Sequence, residues 1–142
     1  MVYVDANIFI YASGFETTSN KFLAARRVLR EVTNGRLAAV TSVLSWDEVT
    51  WVLRKKADRE EAVLAGKEFL EFPHLAFIEV DVAAIQKAHE LWAQYGLHPR
   101  DAIHAACAIR SGNREFISDD ADFDKVKELK RIPLDEVAHP RK

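Results

Sequence analysis

The sequence lacks most of the features that identify an enzyme class or a cellular compartment. It contains a single cysteine, Cys107, so no disulfide can form within the chain, and a reducing compartment is expected. No apolar run approaches the roughly 18 residues that a membrane span needs. The first residues have no basic segment of the kind that opens a signal peptide. We therefore expect a cytoplasmic protein that does not enter a membrane.

The common catalytic and nucleotide-binding motifs are also absent. There is no G-x-G-x-x-G, P-loop or G-x-S-x-G pattern, which argues against the common nucleotide-binding and serine hydrolase classes. The histidines show neither H-x-H nor H-E-x-x-H spacing and are interpreted as structural or surface residues: His74, His89, His98, His104 and His139. His104 differs from the others in lying one turn after an acid, Asp101. Cys107, among alanines, is predicted to be a small core residue.

The charge balance excludes binding of nucleic acid by bulk electrostatics. The chain has 20 lysines and arginines against 22 acids, a net charge of −2 and a sequence pI of about 6.2. Proteins that hold nucleic acid by charge alone are strongly basic. A nucleic-acid enzyme of this composition needs a local basic rim or a divalent metal to contact phosphates.

The pattern of apolar residues predicts an α/β protein. Short apolar runs predict strands at 2–4, 37–41, 75–80 and 116–118, with a further edge strand at 131–134, and helical periods separate them. Ser19 or Asn20 is predicted to cap a long helix that Gly35 ends, and Asp81 a later helix that Gly96 ends. A short helix is predicted after Asp122. A length of 142 residues favours a single domain, 1–142. We expect three layers: a central, mostly parallel sheet of four to five strands with helices on both faces.

Acidic residues follow the first strand and also lie within the helix predicted at 43–56. Asp5 ends the first strand, where it can hold a metal or cap the next helix. The helix predicted at 43–56 is apolar on most sides, so we expect it to be well buried, with its tryptophans Trp46 and Trp51 in packing or dimer contacts. Asp47 and Glu48 are both flanked by apolar residues. Spacing does not choose between these two acids.

Two further groups of acids complete the pattern. Asp101 lies in the first turn of the helix that Pro99 opens, where the helix dipole alone would also favour an acid. Four acids lie within residues 119–124, just after the fourth strand, where a solvated turn is the alternative interpretation. Carboxylates from separate elements are the ligands that Mg²⁺ and Mn²⁺ prefer, and metal-dependent phosphodiesterases use them to activate water. The combination predicts a metal-dependent phosphodiesterase.

The sequence resembles the PIN-domain family, and within it the VapC-type toxins of prokaryotic toxin–antitoxin pairs. The matching segments keep the family's order and spacing over about residues 2–137: Val4-Asp5-Ala6-Asn7, Ser45-Trp46-Asp47-Glu48-Val49, Arg100-Asp101-Ala102-Ile103-His104-Ala105-Ala106, and Ile117-Ser118-Asp119-Asp120-Ala121-Asp122-Phe123. The family usually has threonine at the position of Ser118, and serine keeps the hydroxyl. No family acid is lost, so an active enzyme is expected.

The resemblance implies residue roles, a cofactor and partners. Asp5, Glu48, Asp101 and Asp120 would be the catalytic and metal-binding acids, with Asp122 an additional metal-binding acid. Asn7 and Ser118 would support the site. The resemblance further implies a homodimer, RNA cleavage with Mg²⁺ or Mn²⁺, and inhibition by a VapB-type antitoxin protein. Two alternatives stay open: an RNA-processing nuclease without an antitoxin, and a metal-binding α/β module without nuclease activity.

Overall fold

The computed structural model describes residues 1–14 and 20–138. Strands and helices alternate along these residues. The strands are β1 (Val2–Val4), β2 (Ala39–Ser42), β3 (Leu75–Ile78), β4 (Glu115–Ile117) and β5 (Lys130–Ile132). The helices are α1 (Ala6–Ala12), α2 (Asn20–Thr33), α3 (Leu44–Lys56), α4 (Arg59–Leu70), α5 (Val82–Tyr95), α6 (Pro99–Arg110) and α7 (Leu134–Ala138), with a 3-10 helix at Ala121–Lys125.

The five strands form one parallel sheet in the order β3-β2-β1-β4-β5. β1 lies at the centre, pairing with β2 on one side and β4 on the other. All three of its residues are buried, as expected of a strand that is covered on both faces. The prediction of an α/β fold with a mostly parallel sheet of four to five strands is confirmed. Since all strands are parallel, their carboxyl ends meet at one edge of the sheet.

Successive residues of β1 point into two separate cores. Val2 and Val4 pack with residues of α1, α2, α3, α4 and α7 on one face. Tyr3 packs with residues of α5, α6 and the 3-10 helix on the other face, together with Phe116 and Phe123. Helices therefore cover both faces, as predicted, and the small residues of α6 (Ala102, Ala105, Ala106 and Ala108) are all buried. Small side chains allow α6 to lie close to the sheet.

The structure differs from the sequence prediction in three places. The segment predicted as a strand at 131–134 is strand β5 followed by helix α7, which begins immediately after Pro133. The 3-10 helix begins at Ala121, whereas the short helix was predicted to follow Asp122. Helix α3 is only half buried, and Trp46 and Trp51 are 43% and 52% exposed. The prediction that Ser19 caps the long helix lies outside the described residues.

The predicted caps of α5 are confirmed. Gly96 ends α5 in the left-handed conformation, with φ of 68°, and the side chain of Asp81 caps the start of that helix. Among residues 1–14 and 20–138, no helix is both long and apolar enough to cross a membrane.

Candidate active site

Asp5 lies at the carboxyl end of the central strand and is almost fully buried, with 4% of its surface exposed. Asp5 occupies the N-cap position of α1, but its side chain makes no capping hydrogen bond. Instead, Oδ2 accepts a hydrogen bond from Ser118 Oγ at 2.7 Å. Burial raises the pKa of the Asp5 carboxyl, and His104 and the Ser118 hydroxyl act in the opposite direction. A buried carboxylate of this kind needs cationic or hydrogen-bonding partners.

Glu48 and Asp47, which the spacing leaves undecided, have different surroundings. Glu48 points toward Asp5 and His104, and its side chain is 17% exposed. The Asp47 side chain is 56% exposed and lies 3.9 Å from the guanidinium of Arg100. Helix α3 therefore directs Glu48 toward Asp5 and His104, with which it forms a cluster, and Asp47 away from that cluster.

Asp101 lies in the first turn of α6 and is partly buried. The pKa of its carboxyl is raised to about 6, first by burial and then by the nearby charges of Asp5 and Asp120. His104 acts in the opposite direction, and Glu48 adds a further raising effect. A shift with these causes means that carboxylates from β1, α3, α6 and the segment after β4 lie close enough to repel one another.

Ser118 connects several residues of the site. Besides donating to Asp5, its buried Oγ accepts hydrogen bonds from the Asp120 backbone N–H at 3.1 Å and from Asn7 Nδ2 at 3.4 Å. The Asn7 Oδ1 atom is buried and has no hydrogen-bond partner among the described residues. An unpartnered buried oxygen beside several carboxylates is the kind of atom that a cation or its bound water would contact.

Three acids of the 119–124 segment have partners other than Asp5, Glu48 and His104. Asp119 forms an ion pair with Lys21 at 2.7 Å and accepts a hydrogen bond from the Tyr11 hydroxyl at 3.2 Å. Asp120 caps the 3-10 helix through a bond from the Asp122 backbone N–H to Oδ1. The Asp122 side chain is about half exposed and lies 3.7 Å from Lys125. Within the described part of the chain, the Asp122 side chain has no recorded contact with Asp5, Glu48 or His104, and its role as an additional metal ligand stays a prediction.

His104 is a member of the site that the sequence interpretation missed. It is fully buried on α6, with Nε2 at 3.0 Å from Glu48 Oε1 and at 3.8 Å from Asp5 Oδ1. Its Nδ1 lies 2.6 Å from the Tyr3 hydroxyl. Burial lowers the pKa of the imidazole, but the Glu48 hydrogen bond and the Asp5 charge outweigh it and raise the pKa. Its position one turn after Asp101 was the available signal, because residues three apart share a helix face.

The donor set fits a hard divalent cation. One ligand atom each from Asp5, Glu48 and His104 lies within 4.8 Å of the others, and Asp101 interacts electrostatically with all three. Carboxylate oxygens dominate this set, and Mg²⁺ and Mn²⁺ prefer such ligands. An arrangement of this kind, at the carboxyl edge of a parallel sheet, can hold a cation that activates water and stabilises a leaving oxygen.

Comparison with known proteins identifies relatives of this fold. The family model of the PIN domain matches residues 2–129. The solved structure of VapC20 from Mycobacterium tuberculosis, described as a Sarcin-Ricin loop cleaving toxin, aligns with a TM-score of 0.73 at 16% identity, covering 89% of this chain and 95% of that one. VapBC2 from Rickettsia felis, bound to a DNA fragment from its promoter, aligns with a TM-score of 0.69 at 19% identity. The alignment covers 94% of this chain and 98% of that one. A toxin–antitoxin complex from Klebsiella pneumoniae aligns with a TM-score of 0.66 at 19% identity, covering 92% of this chain and 96% of that one. No curated protein matches the chain.

Proposed function

The chain belongs to the PIN-domain family, and from that premise we propose that it is a metal-dependent endoribonuclease, the toxin of a type II toxin–antitoxin pair. The observation that carries the proposal is that Asp5, Glu48 and His104 lie together at one edge of the sheet, where Asp101 interacts electrostatically with all three and with Asp120. In this proposal Asp5, Glu48, Asp101 and Asp120 hold Mg²⁺ or Mn²⁺, while Ser118 and Asn7 orient the acids. The bound cation supplies an activated water and neutralises charge that develops on the RNA phosphate.

The residues of the chain have separate tasks in this reaction. The Ser118 hydroxyl fixes one oxygen of Asp5, which leaves the other, Oδ1, facing the cluster. Burial of Asp5 and partial burial of Asp101 lower the local dielectric, which strengthens the attraction of these carboxylates for a cation. RNA hydrolysis by an activated water in this way would leave 5′-phosphate and 3′-hydroxyl ends.

A matched pair of neighbouring residues gives the sharpest test. Glu48→Gln and Asp47→Asn each remove one negative charge from α3, but only Glu48 points into the cluster. We expect Glu48→Gln to lower the cleavage rate of purified protein on structured RNA by at least about 100-fold, a loss typical of removed electrostatic stabilisation. Asp47→Asn should retain activity close to that of the wild type. EDTA should abolish cleavage, and Mg²⁺ or Mn²⁺ should restore it.

The contrary results for this test are specific. Equal activity of the two variants, or full activity in EDTA, would refute the assignment of Glu48 and the metal. Metal binding by calorimetry without turnover of a broad set of RNAs would instead favour a metal-binding module without nuclease activity.

The proposed partner is a VapB-type antitoxin. The support is that several structural neighbours are toxin–antitoxin complexes, which at this level of identity establishes similarity of fold. Expression of the chain alone should arrest growth, and coexpression with the product of a short adjacent reading frame should relieve the arrest. Unchanged growth together with RNA cleavage in vitro would favour the alternative, an RNA-processing nuclease without an antitoxin.

The proposed homodimer is supported by an exposed apolar surface on α5. Val82, Ile85 and Trp92 are 74%, 45% and 49% exposed, and a cavity of about 180 Å³ opens between Trp92 and α6. Exposed apolar surface of this kind marks a contact site. Light scattering should show a dimer that Trp92→Glu converts to a monomer, whereas Lys130→Glu at an exposed polar position of β5 should leave it intact. A monomeric wild-type protein would refute the proposal.

A further inference from the structure

His104 has hydrogen-bonding partners at both ring nitrogens, although it is fully buried. Tyr3 lies at Nδ1 and Glu48 at Nε2. Two roles are compatible with these distances alone. Nε2 could bind a cation together with Asp5 and Glu48, or it could carry a hydrogen and hold Glu48 in place. The two roles require opposite tautomers of the neutral ring, because a metal-binding nitrogen has no hydrogen.

Tyr3 distinguishes between the two tautomers. Its side chain is completely buried in the centre of the sheet and stacks on Phe116, with ring centroids 5.0 Å apart. A tyrosine hydroxyl has an ordinary pKa of about 10, so it keeps its hydrogen at neutral pH. Among the described residues, His104 Nδ1 is the acceptor at hydrogen-bonding distance from that hydroxyl, at 2.6 Å, since the nearby Ser42 Oγ makes no hydrogen bond and Thr41 Oγ1 bonds Val4 and Ser45. A buried O–H that donates to no acceptor is costly, so Tyr3 donates and Nδ1 accepts.

The position of Glu48 agrees with this assignment. A neutral imidazole that accepts a hydrogen bond at Nδ1 carries its hydrogen on Nε2. Glu48 Oε1 lies 3.0 Å from that nitrogen, which is an ordinary distance for an N–H donor to a carboxylate. Without a hydrogen between them, two lone pairs would face each other at this distance.

We propose that His104 is a positioning residue that donates from Nε2 to Glu48, and that the hydroxyl of Tyr3 selects the required tautomer. The chain of hydrogen bonds runs from β1 through α6 to α3, so it fixes the carboxylate of α3 relative to the strand that carries Asp5. The functional consequence rests on the proposed metal site. The hydrogen-bond assignment does not, because it concerns the protein without metal.

The first experiment measures the tautomer directly. Protein labelled with ¹⁵N in its histidines is studied by long-range ¹H–¹⁵N correlation in EDTA, with the His104 signals identified by their loss in His104→Gln. We expect the Nε2–H tautomer in the wild type and a mixture of tautomers in Tyr3→Phe, which removes only the donor. Tyr95→Phe is the matched control, because Tyr95 donates to Glu128 instead. An Nδ1–H tautomer in the wild type, or an imidazolium with hydrogen on both nitrogens, would overturn the proposal.

The second experiment measures metal affinity by calorimetry with Mn²⁺. Loss of a group that orients a metal ligand weakens metal binding by about 10–100-fold. We expect a loss of this order in Tyr3→Phe, with no change in Tyr95→Phe. His104→Gln, whose amide can donate to Glu48, should retain more affinity than His104→Leu. Equal affinity of wild type and Tyr3→Phe would overturn the positioning role.

The two proposals can fail separately. If the wild type has the Nε2–H tautomer but neither binds Mn²⁺ nor cleaves RNA, the proposed function fails and the hydrogen-bond assignment stands. If the wild type cleaves RNA but binding of Mg²⁺ removes the hydrogen from Nε2, His104 is a metal ligand and the positioning role fails.

Discussion

Asp101→Asn is expected to stabilise the metal-free protein while impairing its proposed activity. In the absence of a cation, the Asp101 carboxylate is partly buried beside the charges of Asp5 and Asp120. Asparagine has nearly the same shape but no charge, so it removes both the repulsion and part of the desolvation cost. The same substitution removes one proposed metal-binding oxygen. Stability and metal binding should therefore change in opposite directions.

The magnitude follows from the pKa of Asp101. The folded protein raises this pKa from 3.8 to about 6. A difference of about two units corresponds to about 3 kcal/mol at neutral pH. Because the side chain is only partly buried, solvent screening reduces the expected gain to about 1–2 kcal/mol.

The sign of the pH dependence is determined by the same values. A carboxyl whose pKa is raised by folding stabilises the fold below its unfolded pKa, and this contribution is lost as the pH rises through the folded pKa of about 6. The gain in the free energy of unfolding from Asp101→Asn should therefore be full above about pH 7 and about half as large near pH 5.

Urea unfolding in EDTA at both pH values measures this difference. Asp47→Asn is the control, because it removes a largely exposed carboxylate from the neighbouring helix and should change the free energy of unfolding by less than about 0.5 kcal/mol. A lower free energy of unfolding for Asp101→Asn at pH 7 would refute the reasoning. A gain that does not shrink at the lower pH would do the same.

Three other substitutions test the supports of the site and the fold. Ser118→Ala removes a buried hydrogen bond to a carboxylate and should lower the free energy of unfolding by about 1.5–3 kcal/mol in urea, whereas Ser111→Ala, at the exposed end of α6, should lose about 1 kcal/mol or less. Phe123→Ala leaves a cavity at a fully buried position and should lose about 3–5 kcal/mol, with the exposed Leu64→Ala near zero in the same assay. Gly96→Ala should lower the free energy of unfolding by about 1–2 kcal/mol, because φ at this position is 68°, in the left-handed region. No atom lies within 4 Å of the added Cβ, so the loss comes from the backbone alone. An unchanged thermal midpoint would contradict this.

Local sequence patterns were sufficient to predict most of the elements. β1, α5 and α6 are marked by short apolar runs, by Asp81 and Gly96 as caps, and by Pro99 at a helix start. The order of the strands could not be predicted, because it depends on pairing between segments far apart in the chain. α7 was missed because Pro133 fits both an edge strand and the position before a helix.

The candidate site was predicted in part, and the differences have physical reasons. The sequence interpretation treated α3 as buried because apolar residues surround it, but only the face with Val49 and Leu53 packs on the core. His104 was set apart from the other histidines but not placed in the site, because its partners Tyr3 and Glu48 lie 101 and 56 positions away. The predicted roles of Asp5, Glu48, Asp101 and Asp120 stay predictions, to be tested by the substitutions above.

The central position of β1 has a consequence for the order of events during synthesis. Residues 2–4 are synthesised long before one of their two neighbouring strands, β4, which begins only at residue 115. Parallel strands cannot pair through a short hairpin, so this contact must wait for a long intervening segment. Asp5 likewise meets Ser118 only after that segment has been made. A nascent chain that ends before β4 therefore cannot assemble the cluster of acids, and the activity proposed here would appear only when nearly all of the described chain has been synthesised.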